Sequence, residues 1–276
     1  SHHEENNMSE NELLGHKDGP IFTITFNRPE KRNPIPFEWL IALCEMVDEL
    51  AYDPEIRVII LKGEGKVFSA GVDFNSLGEL VGRFMSDSAG GGMSIRSDVS
   101  KYQYYLTRLE SIEIPIICAM HGAAYGMAWE VALACDIRLM STDCVWALKE
   151  LKFGIICDLG GQARLLNLTT PSRVMEILGT GRTYTAQQAL DWGLVNHLYK
   201  AEDLFAEAES MAQDIIKNAP IAVGALKRVT KKGQGLDLNT LLDMEGNLQS
   251  ILLRSEDFQE GITSVLEQRD ANWKRK

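Results

Sequence analysis

The sequence lacks the long apolar run of a membrane-spanning helix, since no stretch approaches the length of about 18 residues that such a helix needs. It also shows no secretory signal peptide, in which a basic start precedes an apolar stretch. The first residues, SHHEENNM, are polar. We expect residues 1–12 to be a disordered start that resembles an expression tag, and we expect the protein in the cytoplasm.

Cysteine is sparse and is not arranged for metal binding. Neither CxxC spacing nor a Cys/His ligand pattern occurs. The cysteines lie mostly in apolar stretches, which is typical of buried free thiols in a reducing compartment. The sequence also has neither a dinucleotide-binding fingerprint nor a P-loop. We therefore predict no metal site and no cofactor. The five cysteines are Cys44, Cys118, Cys135, Cys144 and Cys157.

Basic residues are outnumbered by acidic ones, and the formal net charge is −11. This charge argues against a general surface for nucleic acid or anionic membrane, so we predict neither as a partner. A local basic patch for a phosphorylated ligand is still compatible with that total. Its candidate side chains are Lys31, Arg32, Lys227, Arg228, Lys231 and Lys232.

The pattern of apolar residues predicts one α/β domain followed by a helical tail. Ile21–Phe26 alternates apolar residues with Thr, as a half-buried strand does, and Val58–Lys62 is a continuous apolar strand. Between them, Pro36 suits the first turn of a helix that extends to about Tyr52. We expect further strands at 116–120, 137–140 and 194–199, and tail helices at 203–218, 220–231, 238–253 and 255–269.

The segment between Asp73 and Tyr102 interrupts this pattern. Its stretch SDSAGGGMSIRSD has three consecutive glycines and many small polar residues, which predicts a mobile loop. The flanking apolar residues, Leu77 and Leu80 among them, form a helical face that is too large for a solvated linker. We therefore predict that residues 78–100 form a lid that orders over a ligand. A permanently folded helix with one loose tip is the alternative.

Glu130 and Glu150 are the first candidate catalytic residues. Glu130 lies in a predicted helix, Met127–Ala134, that opens at a Gly-rich turn, and Glu150 precedes the apolar run Phe153–Cys157. This chain path can bring two carboxyls from different segments to one cavity. There one can hold a water as base while the other supplies a proton. The simpler interpretation is that the helix dipole favours Glu130 and that Glu150 is solvated.

Six motifs, taken together, resemble those of the crotonase superfamily, the enoyl-CoA hydratase/isomerase group. Their order and spacing match over about residues 13–273, which is nearly the whole chain. They are FTITFNRPEKRNPI near the N terminus, FSAGVDFNSL at 68–77, PIICAMHGAAYGMAWEVALACDIR at 115–138, the stretch Glu150–Arg164, GRTYTAQQALDWGLVNHLY at 181–199 and SEDFQEGITSVLEQRDANW at 255–273.

This resemblance implies an enzyme that acts on an acyl-CoA thioester, with the crotonase (ClpP/crotonase-like) fold. The α/β spiral core of ββα units then covers residues 13–199, and residues 200–276 form a C-terminal helical trimerisation region. The implied assembly is a homotrimer or a dimer of trimers.

The resemblance also implies a set of site residues. The backbone N–H groups of Val72 and Met127 match the oxyanion hole, which stabilises the negative charge on the thioester oxygen. Many family members carry a run of glycines where this chain has Met127 and Trp129, so the two bulky residues are expected to reshape the acyl pocket. The expected CoA-binding residues are Lys31, Arg32, Ser69, Ala70 and Asp73. Those expected at the acyl pocket are Leu77, Trp129 and Trp146.

Asp158 leaves the reaction open. Glu130 and Glu150 resemble the pair with which enoyl-CoA hydratases add water across a trans-2-enoyl-CoA double bond, and hydration is our first prediction. Glu150 and Asp158 resemble the proton-shuttling pair of dienoyl-CoA isomerases, although that group usually has Asp at the first position. Asp158 could instead cap a helix before Leu159. A non-catalytic or RNA-associated crotonase homologue is the alternative from another class, and the retained acids and the acidic charge weigh against it.

Overall fold

The computed structural model describes residues 12–85 and 91–276. The strands β1 to β11 are Leu13–Asp18, Ile21–Phe26, Pro34–Ile35, Val58–Gly63, Gly71–Val72, Ile116–Met120, Ala123–Tyr125, Ile137–Ser141, Val145–Ala147, Tyr184–Thr185 and His197–Tyr199. The helices α1 to α11 are Phe37–Leu50, Phe74–Met85, Gly91–Ser111, Met127–Ala134, Gly161–Leu166, Pro171–Thr180, Ala186–Asp191, Leu204–Ile216, Pro220–Gly233, Leu238–Leu252 and Glu256–Leu266. Short 3-10 helices occupy Pro29–Lys31 and Glu150–Phe153.

The main sheet has the strand order β1-β2-β4-β6-β8-β11. Only the β1–β2 pair is antiparallel among its described pairs, and the others are parallel. Parallel strands need crossover connections, which the helices supply, and they are covered on both faces. Strand β6 accordingly consists of five consecutive buried residues. The central strands match the predictions from the sequence because continuous apolar runs are typical of such a sheet.

Two apolar clusters cover the two faces of this sheet. The larger contains Phe26, Trp39 of α1 and Phe68. The smaller lies under α8, where Ala208 packs against residues of the central strands, such as Ile117. Helix α8 therefore packs directly on the sheet as part of the same core. No helix within residues 12–85 or 91–276 is both long and apolar enough to cross a membrane.

Short secondary pairings bring two distant turns together beside the main sheet. Strand β3 pairs with β5, so Ile35 lies opposite Val72. A bridge joins Ser69 to Ala124 of β7. Strand β7 then leads through Gly126, at φ +53°, into α4. The Gly71–Val72 segment and the start of α4 consequently lie next to each other.

The loop predicted between Asp73 and Tyr102 is wrong for its described residues. Helix α2 occupies Phe74–Met85, and α3 begins at Gly91 and reaches Ser111. Half-buried side chains, including Leu77 and Leu80, pack α2 against the core, so tertiary packing outweighs the low helical propensity of the glycines. Residues 86–90, which belong to the predicted lid, lie outside the described residues, as does the 1–11 part of the predicted disordered start.

Candidate active site

A cavity of about 540 Å³ lies between α2, α3, the start of α4 and the 149–159 segment. Its walls are mostly apolar, and the carboxyls of Glu130, Glu150 and Asp158 reach it together. An apolar cavity with a few convergent polar groups is the usual form of a small-molecule site. The apolar side chains on its walls are Phe37, Val72, Phe74, Leu77, Leu80, Val81, Met85, Ile95, Val99, Tyr102, Met127, Phe153, Ile155, Ile156 and Leu159.

Glu130 enters the site from the first turn of α4. All eight residues of this helix are buried, and Glu130 is only 3% exposed. Its Oε1 accepts hydrogen bonds from the backbone N–H groups of Leu159, at 2.9 Å, and Gly161, at 3.3 Å. A Cβ on Gly161 would lie 2.8 Å from the Glu130 Cγ, so the close contact requires glycine there. The carboxyl is therefore held at a fixed position.

Glu150 enters from a different segment, the 3-10 helix at Glu150–Phe153. Its Oε1 lies beside Gly126, where an added Cβ would come within 2.9 Å of that oxygen. Its Oε2 is buried and accepts no hydrogen bond from the described residues. A buried carboxylate oxygen without a donor is costly, which is typical of a functional group that awaits a ligand or water.

Desolvation raises the pKa of all three acids. Desolvation, with smaller contributions from Asp158 and Glu150, raises the pKa of Glu130 to about 8, although its two backbone hydrogen bonds oppose the rise. Desolvation also raises the pKa of Glu150, while a hydrogen bond from the Cys157 thiol opposes it. The pKa of Asp158 is raised mainly by desolvation too. Acids with raised pKa values can both hold and release a proton near neutral pH.

Asp158 does not cap a helix, so that interpretation is wrong. Helix α5 begins at Gly161, and Gly160 is its N-cap residue. The Asp158 side chain lies instead on the cavity wall, and its backbone oxygen accepts a hydrogen bond from the Gln103 side chain at 2.6 Å. The third acid is thus available to a ligand in the cavity.

The two segments that carry the predicted oxyanion donors lie side by side. A Cβ placed on Gly71 would be 2.8 Å from the Tyr125 carbonyl oxygen and 3.8 Å from the Met127 nitrogen. Val72 and Met127 both line the cavity. Met127 is the first residue of α4, where backbone N–H groups have no acceptor within the helix and the helix dipole is positive. This position suits the stabilisation of a developing oxyanion.

The predicted CoA-binding residues occupy different environments. Lys31 and Arg32 are exposed, and the Arg32 carbonyl accepts a hydrogen bond from the N–H of Ala70, which lines the cavity. The side chains of Ser69 and Asp73 are engaged within the protein and do not line the cavity, and their assignment to CoA stays a prediction. The Ser69 Oγ donates to the Asn33 carbonyl at 2.7 Å, and Asp73 Oδ2 accepts from Arg28 at 2.8 Å.

The predicted positions of two tryptophans are wrong. Trp129 and Trp146 are each 0% exposed and do not line the cavity. Their rings lie 4.9 Å apart, and Trp146 packs further against Tyr184 and Trp192. The two residues therefore pack in an aromatic cluster in the core. Leu77, the third residue expected at the acyl pocket, does lie on the cavity wall.

Sequence reasoning missed several residues of the cavity. Lys149 is the only basic side chain among the described residues that line it, and its Nζ lies 5.6 Å from the centre of the Tyr125 ring. Phe153 meets Phe74 with ring centroids 5.3 Å apart, and both line the cavity. These contacts join elements that are distant in sequence, so no local pattern could indicate them.

Lys227, one residue of the predicted basic patch, has a structural role in the core. The Lys227 side chain is buried, and its Nζ lies 2.8 Å from Asp136 Oδ2. It also donates to the carbonyls of Leu109 and Ile114. Lys227 is therefore not available to a phosphorylated ligand. Within the described part of the chain, no group of three or more His, Cys, Asp or Glu side chains is placed to hold a metal ion.

Known proteins resemble this chain along nearly its full length. Residues 16–276 match the Enoyl-CoA hydratase/isomerase family. A carnitinyl-CoA dehydratase from Salmonella arizonae is 34% identical over 263 residues, which cover 94% of this chain and 96% of that protein. The crystal structure of an enoyl-CoA hydratase from Bacillus anthracis has a TM-score of 0.86 at 28% identity, with 96% of this chain and 100% of that chain covered. That of an enoyl-CoA hydratase from Polaromonas has a TM-score of 0.86 at 26% identity, with 95% and 99% covered.

These matches confirm the fold that was expected from the sequence motifs. The chain is an enzyme with the crotonase fold, and it belongs to the enoyl-CoA hydratase/isomerase family of the crotonase superfamily.

Proposed function

We propose that this enzyme catalyses the reversible addition of water across the double bond of a trans-2-enoyl-CoA thioester. The observation that carries the proposal is the convergence of Glu130 and Glu150 on one apolar cavity, both with raised pKa values, beside the start of α4. Hydration needs one acid and one base around the same double bond, and this pair supplies both.

The proposed reaction has three parts. The thioester oxygen accepts hydrogen bonds from the N–H groups of Val72 and Met127, so electrons of the double bond can move toward it. The oxygen of water forms a bond to C3 while one carboxyl takes a proton from that water, and the other carboxyl gives a proton to C2. The deeper burial of Glu130 keeps the proton on it at neutral pH in the free protein. No metal or redox cofactor is needed, because proton transfer and charge stabilisation complete the reaction.

The walls of the cavity favour an uncharged acyl group. They are built mainly from aliphatic and aromatic side chains of α2 and α3, such as Leu80, Val99 and Tyr102. Burial of each methylene group there contributes about 0.8 kcal/mol. We propose that exposed Lys31 and Arg32 contact the CoA phosphates. The Salmonella arizonae relative is named a carnitinyl-CoA dehydratase, and dehydration is the reverse of the reaction proposed here.

Isomerisation of a dienoyl-CoA or enoyl-CoA is the second candidate, because Asp158 lies on the same cavity as Glu150 and its pKa is also raised by desolvation. In that reaction one carboxylate removes a proton from one carbon of the acyl chain, and the other carboxyl returns a proton to a carbon farther along. No water is added.

Ultraviolet absorbance separates the candidates. With trans-2-decenoyl-CoA we expect loss of the enoyl absorbance, and with 3,5-octadienoyl-CoA no gain of the 2,4-dienoyl absorbance. Glu130→Gln and Glu150→Gln should each lower hydration by about two to four orders of magnitude, the usual contribution of a positioned acid or base. Asp158→Asn should leave hydration nearly unchanged.

Three results would overturn parts of this proposal. Nearly full hydration by Glu130→Gln would exclude the two-glutamate mechanism. Isomerisation that disappears in Asp158→Asn would establish the second candidate instead. Dehydration of carnitinyl-CoA as fast as hydration of the decenoyl thioester would refute the preference for uncharged acyl groups, since that substrate carries a quaternary ammonium.

We further propose that the chain forms a homotrimer or a dimer of trimers through its C-terminal helices. Apolar side chains of α10 and α11 are exposed on the single chain, which supports their burial against other copies. They include Leu242, Ile251, Phe258, Ile262, Val265 and Leu266. A monomeric mass in light scattering at micromolar concentration would contradict this assembly. The five buried free thiols support a cytoplasmic location.

A further inference from the structure

The segment Asp158–Gly161 determines where the Glu130 carboxyl lies. Its Leu159 and Gly161 N–H groups donate to the same Glu130 oxygen, at 2.9 Å and 3.3 Å. The buried Leu159 side chain anchors the middle of the segment in the core, but the turn that follows has less to fix it. Gly160, at φ +95°, is the N-cap of α5 and has no side chain with which to cap it. Because glycine adopts many backbone conformations, contacts from outside the segment must hold it.

Those contacts come from α3 and from Arg164 of α5. Arg164 of α5 donates to the Leu159 carbonyl at 3.0 Å, forms an ion pair with Glu110, and donates to the Thr107 hydroxyl at 3.3 Å. Gln103 donates to the Asp158 carbonyl at 2.6 Å. The Arg164 guanidinium also lies over Gly160, where an added Cβ would come within 2.1 Å of its Nη1. We call Gln103, Thr107, Glu110 and Arg164 the α3 tether.

The tether has a regular geometry. Gln103, Thr107 and Glu110 are spaced by four and three residues, so they lie along one face of α3. Closer to its N terminus, the same helix lines the cavity through Val99 and Tyr102. One rigid helix thus contacts both the cavity and the segment that holds Glu130.

We propose that Arg164 and Gln103 are positioning residues, which fix the Asp158–Gly161 segment to α3 and thereby keep the Leu159 and Gly161 N–H groups on the Glu130 carboxyl. This inference depends on the proposed function only for the catalytic role of Glu130. Neither residue needs to touch the substrate. Their effect is to set the position and the pKa of the Glu130 carboxyl, which does contact the substrate.

The pKa of Glu130 can be measured, and a contact that only stabilises the fold would not change it. Backbone hydrogen bonds lower the pKa of Glu130 relative to desolvation alone, so their loss should raise it further. The charged groups that act on Glu130 are Asp158 and Glu150, and Lys149 lines the same cavity. Arg164, paired with Glu110, contacts the segment that donates to Glu130. Removing the Arg164 cation would itself raise the pKa of a nearby carboxyl. Gln103 is uncharged, so replacing it tests the geometry alone.

The experiment compares Arg164→Gln and Gln103→Leu with a matched control, Arg108→Gln. Arg108 also lies on α3 and forms an ion pair, but with Asp48 of α1, away from the segment. The first measurement is the titration of the Glu130 carboxyl by ¹³C NMR of the whole protein, with the resonance assigned from Glu130→Gln. The second is the pH dependence of kcat and KM for trans-2-decenoyl-CoA.

For both tether variants we expect the Glu130 titration midpoint to rise by about half a pH unit or more. We expect kcat to fall about tenfold to a hundredfold, the effect of a small displacement of a catalytic group, with KM within about twofold. Arg164→Lys should have a higher kcat than Arg164→Gln, because lysine keeps the positive charge beside Glu110. Its kcat should stay below that of the wild type, because lysine lacks the planar guanidinium that bonds to Glu110 and Leu159 together. Arg108→Gln should change stability only.

An unchanged midpoint in Gln103→Leu, or an equal shift in Arg108→Gln, would overturn the proposal. If Arg164→Gln does not fold, Gln103→Leu still decides it. A wild-type protein that does not hydrate enoyl-CoA, but whose Glu130 midpoint still shifts in Gln103→Leu, would refute the proposed function and leave the tether established.

Discussion

The Oε1 atom of Glu150 lies against the backbone of Gly126, so closely that a Cβ on Gly126 would be 2.9 Å from it. Gly126 also has φ +53° and immediately precedes α4, whose first N–H group is a proposed oxyanion donor. Gly126 thus forms the turn into α4, leaves space for the Glu150 carboxyl and precedes the proposed oxyanion donor.

Gly126→Ala should therefore impair the site more than the fold. The new methyl group displaces the Glu150 carboxyl, and we expect hydration to fall about a hundredfold or more. The positive φ should cost on the order of 1–2 kcal/mol of folding free energy. Enoyl-CoA kinetics and urea unfolding measure the two effects.

Gly154→Ala is the matched control for this prediction. Gly154 also has a positive φ, of +75°, but a Cβ there would have none of the described atoms within 4 Å. This variant should lose no more stability than Gly126→Ala, because the backbone of Gly154 lies in the left-handed helical region, and it should keep its turnover. Equal losses of turnover in the two variants would show that backbone strain, and not contact with Glu150, causes the defect.

Glu130→Gln should stabilise the protein at alkaline pH. The pKa of Glu130 is about 8 in the folded protein, above the ordinary value of 4.5, so folding holds an extra proton between these pH values. The folded state therefore loses stability as pH rises from about 4.5 to about 8, and the loss is complete once the buried carboxylate is charged. Gln stays neutral at every pH. The free energy of unfolding of Glu130→Gln should therefore exceed that of the wild type by near zero below pH 4.5 and by about 2–4 kcal/mol at pH 9.

Urea unfolding at pH 5, 7 and 9 tests this dependence. Glu202→Gln is the control, because Glu202 lies in an exposed turn before α8 and its replacement makes the same change of net charge. The difference in unfolding free energy between this variant and the wild type should not grow with pH. A constant difference between Glu130→Gln and the wild type across this range would contradict the raised pKa.

The elements were easier to predict than the site. The helix Met127–Ala134 and the strand Ile21–Phe26 were predicted with the bounds observed, because the sequence marks both with turn residues and apolar patterns. All residues of α4 are buried, however, so no polar stripe distinguishes the face that turns toward the cavity. Glu130 therefore reaches the site while neighbouring Trp129 packs in the core, and sequence alone could not separate them.

Distant contacts account for the other errors. Nothing near Lys227 in the sequence predicts that it pairs with Asp136, which is 91 positions away. The glycines at 91 and 92 indicate a loop by local preference, yet α3 begins there and its later turns pack into the core, including Leu106 and Leu109. Local signals set the elements, while the packing between elements decides which side chains share a cavity.

Lys227→Met should destabilise the protein severely without touching the cavity. It removes the more buried of the two lysines that pair with Asp136, the other being Lys231, and leaves the carbonyls of Leu109 and Ile114 without their donor. Breaking a buried pair in this way costs about 3–5 kcal/mol. Arg228→Met, on the same helix, removes an exposed cation 3.9 Å from Glu113 and should cost less than about 1 kcal/mol. Thermal unfolding compares them, and similar melting temperatures would contradict the structural role of Lys227.

Helix α2 should become more protected when an acyl-CoA binds. Its inner side chains, including Leu77, Leu80 and Val81, line the cavity, whereas a Cβ added to Gly78 or Gly82 would meet none of the described residues within 4 Å. Because the inner face of α2 borders the cavity, a bound acyl chain would add packing contacts to that face. Added contacts of this kind are expected for a lid.

Hydrogen exchange with trans-2-decenoyl-CoA measures this effect. Amides of residues 74–85 and 91–95 should exchange about tenfold more slowly, which corresponds to about 1.4 kcal/mol of added local stability. Crotonyl-CoA should protect them less, because its short acyl chain leaves the far wall uncovered. Helix α8, which packs on the opposite face of the sheet, is the internal reference and should not change. If α2 exchanges at the same rate with and without the decenoyl thioester, it is a fixed wall of the cavity and the lid prediction is wrong.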